Sequence, residues 1–69
     1  MSIGKGEART MVGRRVLVNS GRGLGVAGQI RSYLEKTHRF LVCLDEARRD
    51  ELNRLSDWHT CPVGHVKIL

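Results

Sequence analysis

The side chains of this 69-residue chain best suited to chemistry are cations placed beside turns. Arg14, Arg15 and Arg22 flank one predicted strand and the glycine-rich loop that comes after it. Arg31, Lys36 and Arg39 flank the next turn, with His38 among them. Cations gathered at one end of a small sheet attract phosphates, because neutralising a polyanion releases its counterions. Tyr33 and Trp58 supply flat faces on which a base can stack. The one phenylalanine, Phe40, is assigned to the core, so too few aromatics remain for reading a base sequence. The expected ligand is a nucleic acid held by its backbone.

The charge distribution fits that expectation. The net charge is +5, yet residues 45–51 hold four acids and two arginines, a local −2, which leaves +7 for the rest. A basic body with one acidic segment suits a polyanion, although the same surplus also serves solubility.

Other chemistries find less support. His59-x-Cys61-x₃-His65, with Cys43 or His38, contains zinc-ligating types but lacks the close ligand pairs of a structural site, so no metal is expected. The pairs Asp45/Glu46 and Asp50/Glu51 sit in a polar stretch and are expected to be solvated rather than catalytic. Ser20 and Ser56 have no histidine beside them in the sequence, and no nucleophile constellation is visible. The expectation is a protein without catalytic residues or cofactor. The residues Met1–Thr10 contain no apolar run of a secretion signal, so Cys43 and Cys61 are expected as reduced thiols in the cytoplasm. The longest apolar run, Phe40–Leu44, is far short of the roughly 20 residues that cross a bilayer.

Periodicity places these groups on elements. Residues 1–10 show no period and are read as a flexible arm outside a single domain of residues 11–69. Val12–Asn19 reads as a strand, with Val16 and Val18 facing one way and Arg15, Leu17 and Asn19 the other. Ser20–Gly25 is a loop. Val26–Leu34 fits a strand, with Gln29, Arg31, Tyr33 and Glu35 facing water, and also fits a helix, against which Gly28 argues. Arg39–Asp45 is the clearest strand and is apolar on both faces, so it belongs inside the sheet. Residues 46–57 form a polar excursion, either a wide hairpin or a short helix capped by Asp45 with Ala47, Leu52 and Leu55 as its apolar stripe. Trp58–Cys61 resumes a strand, Pro62–His65 is a turn of 3₁₀ type, and Val66–Leu69 closes the chain as a strand.

Two folds accommodate these letters. Gly23-Leu-Gly25-Val-Ala-Gly28 matches G-x-G-x-x-G and is followed by an acid, Asp45, as in dinucleotide-binding units. Such a domain needs two βαβαβ halves, and the chain has room for at most one. The glycines also serve as a wide loop between antiparallel strands. The order strand, glycine loop, strand, hairpin, strand, excursion, strand, 3₁₀ turn, last strand resembles Src-homology-3-like barrels. The expected fold is therefore an all-β, five-stranded barrel of that kind.

Within that group, Gly13-x-Arg15-Val16, Ser20-Gly21, Gly28-Gln29-Ile30 and Pro62-Val63 resemble, in order, landmarks of type II dihydrofolate reductases. These are turn and core positions, so the resemblance implies fold and a habit of homo-oligomerisation more than activity. Where that family carries Val-Gln-Ile-Tyr, this chain has Trp58-His59-Thr60-Cys61, and the family's lysine falls at Val18. Folate reduction is not implied. The expectation is a nucleic-acid-binding module. The alternatives are a protein-interaction or self-associating module, and a reductase-like oligomer that binds a nucleotide cofactor.

Overall fold

A computed structural model describes residues 3–49 and 52–69. They form a helix α1 (Lys5–Thr10) and five strands: β1 (Arg15–Val18), β2 (Ala27–Leu34), β3 (Arg39–Arg49), β4 (Leu55–Pro62) and β5 (Val66–Ile68). Single 3₁₀ turns occupy Gly21–Gly23 and Val63–His65. All neighbouring strands pair antiparallel in one sheet of order β4-β3-β2-β1-β5. The first strand meets the last, and a 3₁₀ turn precedes the last, which is compatible with a Src-homology-3-like arrangement. The residues after the glycine loop are a strand antiparallel to β1 (Val16 opposite Gly28), not a helix between parallel strands. The dinucleotide-binding alternative therefore does not apply.

Alternation builds the core. The β-branched Val16 and Val18 are fully buried while Arg15 is exposed. From β3, Phe40, Val42 and Leu44 point inward, and Leu41 and Cys43 are half-buried on the other face. Gly28 sits where β3 comes closest: a Cβ there would lie 2.6 Å from the Cys43 carbonyl oxygen. Beyond it the ladder slips between Ile30 and Ser32. This bulge inserts one residue and reverses the alternation along the rest of β2. Tyr33 pairs with Phe40 and packs against the core, whereas simple alternation places it toward water.

The polar excursion is a hairpin extension. Arg48 pairs with Ser56 and Arg49 with Leu55, after a gap in the ladder beyond the pair of Cys43 and Trp58. Asp50 and Glu51 lie outside the described residues. A helix here would gain little, because its intended apolar stripe has nothing to cover: Leu52 and Leu55 are 69% and 66% exposed. Asn53, with φ of 60°, takes the tight turn before β4.

The first residues hold a helix where sequence pattern suggests a loose arm. Six residues are too short to show a period. Ala8 is fully buried and Met11 nearly so, and Ile3 packs against the same core. His38 fastens this segment. Its Nε2 lies 2.8 Å from the Ile3 carbonyl oxygen, which can only accept, so Nε2 carries the proton and donates it. In the neutral ring Nδ1 then accepts from the Tyr33 hydroxyl at 2.6 Å. Among the described residues no helix is long and apolar enough to cross a membrane.

Candidate nucleic-acid interface

Along the open edge of β4, beside the Gly21–Gly23 turn, two hollows adjoin. The larger, about 340 Å³, is lined by Gly21, Arg22, Arg39, Trp58, His59 and Thr60. The smaller, about 30 Å³, is lined by Arg22, Leu44, Arg48, Arg49, Ser56, Trp58 and His59. Arg22, Trp58 and His59 border both, so together they make one groove. Its volume lies at the small end of the range for ligand sites, roughly 300–1,000 Å³.

Strand register explains who stands there. His59 pairs with Val42, a core position, so its ring lies on the inner side of β4 under the glycine turn. The fit is close: a Cβ at Gly23 would meet the His59 ring carbon Cδ2 and a Val18 methyl, each at 3.1 Å. Gly23, the first glycine of the G-x-G-x-x-G match, thus lets the chain pass over an imidazole. Trp58 pairs with Cys43 on the outer face and is 52% exposed. It stands in a row with Gln29 and Arg15, three strand spacings away in total. Arg39 opens β3 opposite Pro62, with Nη2 3.5 Å from the Thr60 carbonyl oxygen.

Of the residues singled out from the sequence, the structure brings together Arg22, Arg39 and Trp58. The others are elsewhere. Arg15 donates Nη1–H to Asp45 Oδ1 at 2.9 Å and also engages Oδ2. That bond holds the Asp45 carboxyl below its ordinary range; partial desolvation opposes it, and the Arg15 charge adds to it. Arg15 is held correspondingly higher, by the same bond and by the Asp45 charge. At about 14 Å from Trp58, given some 4.8 Å per strand, Arg15 is not part of the groove. Arg14 is exposed before β1, Arg31 at the bulge and Lys36 in the β2–β3 turn. Tyr33 is turned inward, bonded to His38 and edge-on to Phe40 with ring centroids 6.0 Å apart.

Sequence reasoning missed Arg48, Arg49 and His59. The two arginines belong, by composition, to an acidic segment. In the hairpin Arg48 Nη2 lies 3.7 Å from Glu46 Oε2, and Arg49 donates to the Asn53 carbonyl oxygen at 2.8 Å. The signal available was their adjacency one strand away from Trp58. His59 has a buried Nε2 without a hydrogen-bond partner among the described residues. Burial pushes its pKa down, and the charges of Arg39 and Arg22 push it further. Among the described residues no three His, Cys, Asp or Glu side chains gather as a metal site.

A serine–histidine contact also appears that spacing conceals. Ser20 Oγ lies 2.6 Å from His65 Nδ1. The neighbouring Asn19 N–H donates to the His65 carbonyl oxygen at 2.8 Å. Both contacts staple the loop after β1 to the turn before β5, and no acid orients the imidazole among the described residues. Set against models of known protein families and against curated proteins, the chain matches none.

Proposed function

We propose that the protein is a non-enzymatic module that binds a nucleic-acid strand along the β4 groove. The observation carrying this reading is the convergence of Arg22, Arg39, Arg48 and Arg49 around the half-exposed ring of Trp58. Guanidinium groups suit phosphate oxygens, and an indole face suits an unpaired base. A single stacking platform favours binding without sequence preference. The net charge of +5 adds attraction at long range.

Fluorescence anisotropy with a generic labelled oligonucleotide tests this. Affinity should fall with salt, and Arg39→Ala should lower the slope of log K against log salt by about 1. Trp58→Ala should weaken binding by about 1–3 kcal/mol, roughly 5- to 150-fold. No binding at low ionic strength would overturn the proposal.

Self-association is a second reading, favoured by the two outermost strands. β4 and β5 each have one neighbour in the sheet, and Leu55, Ile68 and Leu69 are exposed along them. A mass that rises with concentration in the absence of nucleic acid supports it; a constant monomer mass excludes it.

A further inference from the structure

We propose that His59 is the proton-linked phosphate contact of this groove: as a phosphate seats between Arg22 and Arg39, the imidazole takes a proton from solvent and donates Nε2–H to a phosphate oxygen. The inference rests on the groove being a phosphate site and deepens that reading by naming the group that senses occupancy.

Geometry carries it. Nε2 is buried and lacks a partner, in a ring that borders both hollows. A buried polar atom left unpaired is destabilising, so a ligand that satisfies it gains what the empty groove forgoes. The surrounding charges set the direction. The glycine turn contributes Arg22, and β3 contributes Arg39, Arg48 and Arg49. On β4 itself the nearby ionisable groups are Asp57, whose Oδ2 lies 3.9 Å from Cys43 Sγ, and the buried Cys61. Burial, then Arg39 and Arg22, disfavour the charged form of the empty site's imidazole. A phosphate offsets both guanidinium charges and supplies an acceptor, so the same ring then favours its charged form. Linkage is reciprocal: if phosphate promotes protonation, acid promotes phosphate binding. Nε2 has no solvent access, and a Cβ at Gly21 would lie 3.7 Å from it, so the phosphate reaches it with a shift of the Gly21–Gly23 turn or of the ring.

The experiment tracks the ring-proton NMR resonances of His59 in the intact protein against pH, alone, with inorganic pyrophosphate and with an oligonucleotide. The assignment uses His59→Gln, which keeps a polar amide but cannot titrate. The expected result is an upward shift of the His59 midpoint with either ligand. Wild-type affinity for the oligonucleotide, whose phosphodiesters do not titrate near neutral pH, should rise by up to about tenfold per pH unit on acidification, and H59Q should lose this dependence. If pyrophosphate shifts His59 while the oligonucleotide does not bind, the inference stands and the nucleic-acid reading alone fails. If the oligonucleotide binds and the His59 midpoint stays still, the inference fails alone. A pH dependence of oligonucleotide binding that persists in H59Q places the linked proton on another group and also overturns it. The wild-type titration decides the matter even if H59Q folds poorly.

Discussion

The imidazole of His59 ties the stability of the empty protein to pH. Its folded-state pKa is lowered, chiefly by burial and then by Arg39 and Arg22. The unfolded chain takes up a proton near pH 6.5, ahead of the folded ring. The contribution is therefore present above about pH 6.5 and is lost as pH falls toward the folded value. H59Q should flatten the decline in urea midpoint between about pH 7 and pH 5; an unchanged profile would show that the ring is solvated. Asp45, also depressed in the fold, contributes stability above about pH 3.9 that is lost as pH falls further. Cys61 acts at the other end. Burial raises its thiol pKa, so the unfolded chain ionises first, and stability falls as pH climbs past about 8.5. At this scale the sequence was legible where residue type and exposure suffice, as for Arg22, Arg39 and Trp58. It was silent where a residue's role depends on register. Whether His59 faces a core valine or water is decided by its partner on β3.

Pairing geometry dominates among the elements. Gly28 allows β2 and β3 to approach where any side chain would strike the Cys43 carbonyl and a Val42 methyl at 2.9 Å. Gly28→Ala should cost about 1–3 kcal/mol as the strands part, measured as a lowered denaturation midpoint with an unchanged slope. The β3–β4 hairpin divides into a packed half and an extended half. Phe40, Val42 and Cys61 are buried, whereas Asp45–Arg49 are exposed. Amide exchange should be slow at residues 40–44 and at those alternate amides of 59–61 that bond β3, and fast at 45–49 and 55–57, because backbone bonds without buried apolar cover open locally. Uniform protection along both strands would contradict this. The strand positions were readable from alternation, and the 3₁₀ turn before β5 from Pro62 and Gly64. The bulge after Ile30 was not readable, because a one-residue insertion leaves no mark in composition. Alternation puts Tyr33 on the wrong face for that reason alone.

For the molecule as a whole, the margin is thin. A chain of this length is expected to have roughly 3–10 kcal/mol of net stability, and every core contact counts. That places weight on α1, whose Ala8 is fully buried. Ala8→Asp should lower the melting temperature by about 10 °C or more. A surface arm would tolerate the change with almost no effect, so the result distinguishes a helix that completes the core from one that decorates it. The all-β architecture was visible in the sequence because its strands alternate strongly, and the helix was not, because Lys5–Thr10 offers only one buried side chain to signal it.

The interruption of the β3–β4 ladder, between Cys43 and Arg48, has a consequence beyond this molecule's own shape. A long, flat outer strand invites copies to stack side by side into fibres. Here β3 carries three more residues than β4 across the gap, and an irregularity of that kind twists an edge away from the flat form that pairs with a neighbour. Trimming residues 45–47 to make the two strands match would tidy the sheet and at the same time remove its guard against polymerisation.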